Sequence, residues 1–414
     1  MLIKRFTLLV LLSILSSACS LFGKAPAAAT PSLEASPVPT STPTPRPTDT
    51  EIPPTATVTP TKPPTPTSTP AYPPEGFGPT DFPENVNPLT GLYVTNPQVL
   101  DRRPVAMKVN IVPRTSTRPP WGLSLADIVF DYYHNDGYSR FHAIFYGNEA
   151  SQVGPIRSAR LPDDPLVRMY KSIFAYGGAD QKISFRLFSG DYASRLILEG
   201  GRRSLCPPTA AAPLCRHDPN GYDFLLGGTR EIHAFAAAEG IDDLRPNLDG
   251  MHFRLQPPRG GSAAEQVTTR YSGDSYNRWD FDPASGSYLR FQDDVFDQGQ
   301  GESYAPLLDR LNDQQVIAAN VIVLLTPHEY FQRPPADIVD ILLTGSGTAY
   351  AFRDGQVYEV TWTRSTPESM LSLTLPDGSP YPFKPGNTWF QIIGQTSIIT
   401  QPEEEGWRFD FRIP

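Results

Sequence analysis

Apolar residues recur at every second position through ADIVFDYYHNDGYSRFHAIFYG, residues 126–147. Ile128, Phe130 and Tyr132 mark one limb, Phe141, Ala143 and Phe145 the other, and Asn135-Asp136-Gly137 lies between them. A period of two belongs to a strand, and Asp-Gly supplies the positive φ angles of a tight turn, so the stretch predicts a β-hairpin. RPVAMKVN (103–110) reads as a buried strand. In DDPLVRMYKSIFAYGGAD the period changes: Leu166, Met169, Tyr170 and Ile173 fall at helical spacing. Asp163 and Asp164 can cap that helix, Pro165 suits its first turn, and Gly177-Gly178 should end it. TREIHAFAAAEG (229–240) predicts another helix, with Thr229 as cap and Gly240 as stop. QPPRGGSAAE (256–265) reads as a linker. Beyond it, short apolar and aromatic runs alternate with turns, including Asp-Gly turns at Asp354-Gly355 and Asp377-Gly378, with one short helix expected over APLLDRLND. The pattern gives an α+β class: a mixed α/β N-terminal module over 84–260, then a mostly β C-terminal module over 266–414.

The first 83 residues follow neither period. Lys4 and Arg5 precede the apolar run FTLLVLLSIL, which is short for a membrane span and suits a signal peptide over 1–18. It closes on LSSAC, which resembles a bacterial lipobox with Ser16 where an aliphatic residue is usual. That resemblance implies cleavage before Cys19 and lipidation of Cys19; ordinary cleavage leaving Cys19 unmodified is the alternative. The lipid would then anchor the protein to the cell membrane, facing the extracytoplasmic side. Residues 19–83 are expected to be a disordered tether. Proline removes backbone donors, few apolar side chains are available to bury, and PTSTPTPRPTDT is typical of the stretch. Fully extended, its proline-rich part, residues 26–83, would reach on the order of 180 Å.

The formal net charge of -9 and the export signal both oppose nucleic acid as a partner. Cys206 and Cys215, in CPPTAAAPLC, are close enough to pair in an oxidising compartment, where the closed loop could contribute about 2.7 kcal/mol. A metal pair or two free thiols are the alternatives, but a soft metal wants four ligands and only His217 is near. No metal or cofactor is expected. There is no GxSxG elbow, no SxxK and no phosphate loop, and His328-Glu329 meets Gln332 where a zinc protease has its second histidine. The polar set that remains is Arg118, Arg140, Arg157, Ser158 and Arg160 with the acids Asp127 and Asp180. If VGPIRSAR (153–160) makes a helical turn, Arg157 and Arg160 share a face, and two guanidinium forks suit a phosphate or carboxylate. The competing expectation is that both arginines pair with Asp127, Asp131 or Asp180 and pin the loop to the hairpin. Of the tryptophans, Trp121 is the one expected at the surface.

NPLTGL, RPVAMKVN, GLSLADIVF, GYSRFHAIF, VGPIRSAR and AYGGAD, then QQVIAANVIVL, GSGTAYAFRDGQVYEVTW and PGNTWFQII, appear in order along the chain. In these stretches the sequence resembles the YerB-like bacterial lipoproteins, a family of unknown function with an N-terminal and a C-terminal module. The resemblance implies that architecture and an envelope location, and brings no reaction with it. Two function classes stay open. One is an envelope protein that binds an anionic ligand or an envelope protein partner through the arginine-lined site. The other is a transferase acting on a phosphorylated cell-wall polymer intermediate. The order of strand, arginine loop and helix is faintly similar to LytR-CpsA-Psr phosphotransferases, though Pro-Ile-Arg-Ser stands where they carry Pro-Arg-Asp.

Overall fold

The VAMKV run forms β1 (Val105–Val109), buried along its whole length. A single turn, α1 (Arg114–Thr117), follows. β2 (Ile128–Asn135) and β3 (Tyr138–Phe145) make the expected hairpin, with Asp136 and Gly137 at φ of 52° and 81°. β3 lies antiparallel to β1. The computed structural model describes residues 71–199, 203–218, 224–297 and 302–413. The signal peptide, Cys19 and the tether as far as residue 70 lie outside these.

The helix expected over 163–176 is shorter than its apolar spacing suggested. α2 (Asp163–Tyr170) ends where Lys171 turns left-handed at φ 52°. Ile173 then belongs to β4 (Ile173–Ala175), parallel to β1. A β-branched and aromatic run beside a buried strand finds more partners in the ladder than in another helical turn. α3 (Gln181–Phe188) follows, capped by Asp180, whose side chain accepts from Lys182 N at 2.8 Å. β5 (Leu196–Ile197) pairs with β4. α4 (Thr229–Glu239) runs as expected, one residue out at its start: Gly228 is the cap, and Gly240 stops the helix at φ 67°.

Strands of both halves join in one eleven-stranded sheet. Thr388–Gly394 lies parallel to β2, pairing Ile128 with Thr388 through Tyr132 with Ile392. Asn320–Thr326, Gly345–Arg353, Gln356–Arg364 and Ser372–Thr374 continue outward from it. Both faces of this sheet are covered. Ile128, Phe130 and Ile144 pack on one side under α2 and α3. Val129, Phe141 and Ala143 pack on the other against α4 and a seven-stranded sheet that contributes Val267, Trp279 and Phe409. A sheet buried on both faces explains why its strands read as nearly continuous apolar runs.

Several local expectations change. APLLDRLND forms no helix: Tyr304–Pro306 pairs with Ser287–Asp293, and the residues after it fold around buried Asp309. The Asp309 carboxylate accepts from the amides of Gly122 (2.7 Å), Ser124 (2.8 Å) and Leu311 (2.9 Å), an arrangement that competes with helix formation. The linker contains Ser262–Ala263, paired with Gln356 and Val357. The last residues assigned to the tether pack on the fold: Tyr72 donates to Phe253 O at 3.0 Å, Phe77 bridges Phe253, and Phe82 rests edge-on against its ring. Three aromatics give this proline-rich end enough apolar surface to dock. Trp121 is buried, with Arg310 stacked 4.1 Å above its ring. Cys206 and Cys215 form a disulfide, Cα atoms 4.9 Å apart, and Cys215 packs against Trp121 and Leu226.

Candidate ligand-binding site

The period-two pattern places Lys108 and Asn110 of β1 and its extension, Arg140 and His142 of β3, and Tyr132 and His134 of β2 on one face of the sheet. Register brings them together: Lys108 pairs with His142, and Tyr132 with Arg140. This is the face that carries Ile128, Phe130 and Ile144 further along, so these polar groups sit at the end of a hydrophobic core. Asp163, the first residue of α2, points its carboxylate into them. His142 Nδ1 lies 2.8 Å from Asp163 Oδ1, Lys108 Nζ lies 3.3 Å from the same oxygen, and the Tyr132 hydroxyl donates to it. Lys108 also donates to the Tyr132 oxygen.

Burial drives the charges here. It pushes Lys108 down to about 7 against the pull of Asp163, with Arg140 and Arg160 lowering it further. Burial also lowers His142, so the ring is neutral and its Nδ1–H donates to Asp163. Burial raises Asp163, but Lys108, His142 and Tyr132 overcome it and hold the carboxyl far below its ordinary range. Lys108, Tyr132, His142 and Asp163 are wholly enclosed. The array is therefore a floor, and a ligand cannot touch it directly.

What it supports is the 155–160 segment. These residues are extended, contrary to the expected helical turn. Arg157 N donates to Lys108 O at 2.9 Å, Gly177 N to Arg157 O at 2.9 Å, and Ala159 N to Gly178 O at 2.8 Å. A Cβ on Gly177 would stand 3.3 Å from Ile156 O, and Gly178 holds φ 132°, so glycines let the strip lie this close. Asp163 Oδ2 accepts from Arg160 N at 2.7 Å and fixes the far end of the strip. Ser158 and Arg160 line an open hollow of about 480 Å³ with Asp180, Asp136, Gln332 and Asp337 among its walls. Arg157 is not among the residues that line the hollow in front of this strip, although its charge acts on both Arg140 and Arg160.

The Arg160 guanidinium donates to Ala159 O (2.9 Å) and Ser158 O (3.3 Å), and Arg140 donates to Ser158 O (2.9 Å) and Asn110 Oδ1 (3.2 Å). Neither makes a direct ion pair with Asp127, Asp131 or Asp180. Burial first, then Arg160 and Arg157, depress Arg140. Guanidinium groups are thus crowded together behind the hollow, an arrangement that an added anion would relieve.

The other expected site residues lie elsewhere. Arg118 binds Asp293 at 3.0 and 3.1 Å in a cluster shared with Arg114. Asp127 is buried, accepts from Asn87 Nδ2 at 3.1 Å and from the amides of Tyr146 and Gly147, and is pushed up to about 6 by burial. It edges a separate 600 Å³ hollow. Asp131 pairs with Arg290 at 2.8 Å, both fully buried. Lys108, Tyr132, His142 and Asp163 were missed as a group. The signal available was a lysine and a histidine inside otherwise apolar strands, where a solvated face is the ordinary reading.

Fold and site together define an α+β protein with one sheet spanning both halves and a ligand-sized hollow walled by a guanidinium and a hydroxyl. Family comparison agrees with the architecture. Residues 89–202 match the N-terminal domain, and residues 267–390 the C-terminal domain, of the protein of unknown function DUF3048. The chain belongs to this YerB-like family. It is 27% identical over 327 residues to Bacillus subtilis YerB, which is named as a lipoprotein, covering 77% of this chain and 89% of that protein. It is also similar to the crystal structure of Bacillus subtilis YerB, with a TM-score of 0.58 and 26% identity over 74% of this chain and 96% of that one.

Proposed function

We propose that this is a lipid-anchored envelope protein, attached through Cys19 on the extracytoplasmic side, that binds an anionic group of an envelope ligand at Arg160 and Ser158. The lipoprotein name of its Bacillus relative supports the anchor. No helix among the described residues is long and apolar enough to cross a membrane. The observation that carries the binding reading is Arg160 itself: half-buried, held by backbone carbonyls, backed by Arg140, and facing an open hollow. A guanidinium so placed keeps donors for an oxyanion, and Ser158 adds a neutral one.

The test uses the chain from Ser20 onward, which retains every described residue and lacks the lipid. Inorganic phosphate should raise its unfolding free energy in proportion to the logarithm of its concentration above Kd, by about 2.7 kcal/mol at a hundredfold excess over Kd. Arg160→Gln should abolish that increase and cost less than about 1.5 kcal/mol without phosphate. An equal phosphate effect in the variant would contradict the assignment. So would a large loss of stability without phosphate, which would mark Arg160 as a structural pin.

A further inference from the structure

The hollow before Arg160 carries both signs of charge. Asp136 at the hairpin tip and Asp180 at the head of α3 are exposed, and Asp337 closes the opposite wall. They come from three distant parts of the chain. One oxygen of each has an internal partner: Asp136 Oδ2 accepts from Asn135 (2.8 Å), Asp180 Oδ1 from Lys182 N (2.8 Å), and Asp337 Oδ2 from the Tyr133 hydroxyl (3.2 Å). Lys182, next along α3, donates to Gln332 Oε1. None of the three carboxylates is in a direct ion pair among the described residues.

An anion alone, held at Arg160, would stand before three carboxylates. A cation alone would meet Arg160 with Arg140 and Lys108 behind it. Only a molecule with both charges is matched on both sides. Taking Arg160 as the oxyanion contact, we infer that the ligand is amphoteric, with its phosphate or carboxylate on Arg160 and Ser158 and an ammonium group among Asp136, Asp180 and Asp337. Ile183, Ala179 and Pro335 offer the apolar wall that a short carbon frame needs. The volume, about 480 Å³, falls in the range of small-molecule sites.

The test is calorimetric titration of the chain from Ser20 with four probes. Phosphoethanolamine and dialanine carry both charges; inorganic phosphate and N-acetyl-dialanine are their anionic counterparts. At least one amphoteric probe should bind about tenfold tighter than its counterpart, a difference of about 1.4 kcal/mol. Which of the two does so tells phosphate from carboxylate. Asp136→Asn with Asp180→Asn should erase the preference and leave the anionic probes no weaker. Asparagine tolerates the left-handed turn and still caps a helix, so the double variant keeps the local backbone. Counterparts that bind as tightly as the amphoteric probes, or a preference that survives in the double variant, would overturn the inference and leave Arg160 as an anion site. Failure of all four probes to bind would overturn both.

Discussion

Asp163→Asn is expected to lower the unfolding free energy by about 3–5 kcal/mol, the range for breaking a buried ion pair from one side. Asp163 is the acceptor for Lys108, His142, Tyr132 and the Arg160 amide at once. Asparagine preserves the shape but leaves the Lys108 ammonium enclosed without a counter-charge. Lys108 is already lowered from 10.5 to about 7 with Asp163 present; without it the value falls further. Between that value and 10.5 the unfolded chain holds a proton that the folded one does not, so stability rises with pH across the window. Wild type and variant share that rise above pH 7, so the loss should stay nearly constant from pH 7 to pH 9 and widen as pH falls from 7 toward 5, where only the wild type regains the Lys108 proton in the folded state, as read from urea midpoints. A loss that stays flat between pH 5 and pH 7, or falls below about 1 kcal/mol, would show that the array does not hold the strip.

Arg290→Met should cost a similar amount, about 3–5 kcal/mol. Arg290 donates to Asp131 at 2.8 Å and to Gln292 Oε1 at 2.7 Å, and its guanidinium lies 4.7 Å from the Trp389 ring centre and 5.0 Å from that of Trp279. Asp131 belongs to β2 and Arg290 to the seven-stranded sheet, so the pair joins elements from the two halves of the chain. Methionine fills much of the volume but leaves the buried Asp131 carboxyl, which burial already raises, without its counter-charge. Asp131→Asn combined with Arg290→Met should cost clearly less than the two single losses added, because the second change removes the charge that the first one strands. Additive losses would place the stabilisation in packing against the tryptophans.

The hairpin was legible because its period and its Asp-Gly turn agree. The pairing of β2 with Thr388–Gly394 was not, since parallel partners more than 250 residues apart leave no local mark. The two-module description therefore says nothing of the shared sheet. Ile173 fell at helical spacing and still went into a strand, because β1 offers an open ladder beside it. Arg160 and Ser158 could be picked out from VGPIRSAR, although the chain there is extended and Arg157 does not line the hollow with them. Asp136 and Asp337 could not, because only the folded chain brings the hairpin tip and the 333–337 connection to the same hollow. Lys108 was hidden for a related reason: strand period assigns its face, but not that the face is covered.

The central claim is that the Arg160 guanidinium meets an oxyanion in an open hollow. The most direct measurement is nitrogen-resolved NMR of the arginine Nε–H groups in the chain from Ser20, titrated with inorganic phosphate. Arg160→Gln identifies the Arg160 signal, and Arg290→Met that of the buried control. The account predicts a saturable shift at Arg160 with Arg290 unmoved. An Arg160 signal that stays fixed through the titration, while other arginines shift or none does, would contradict it.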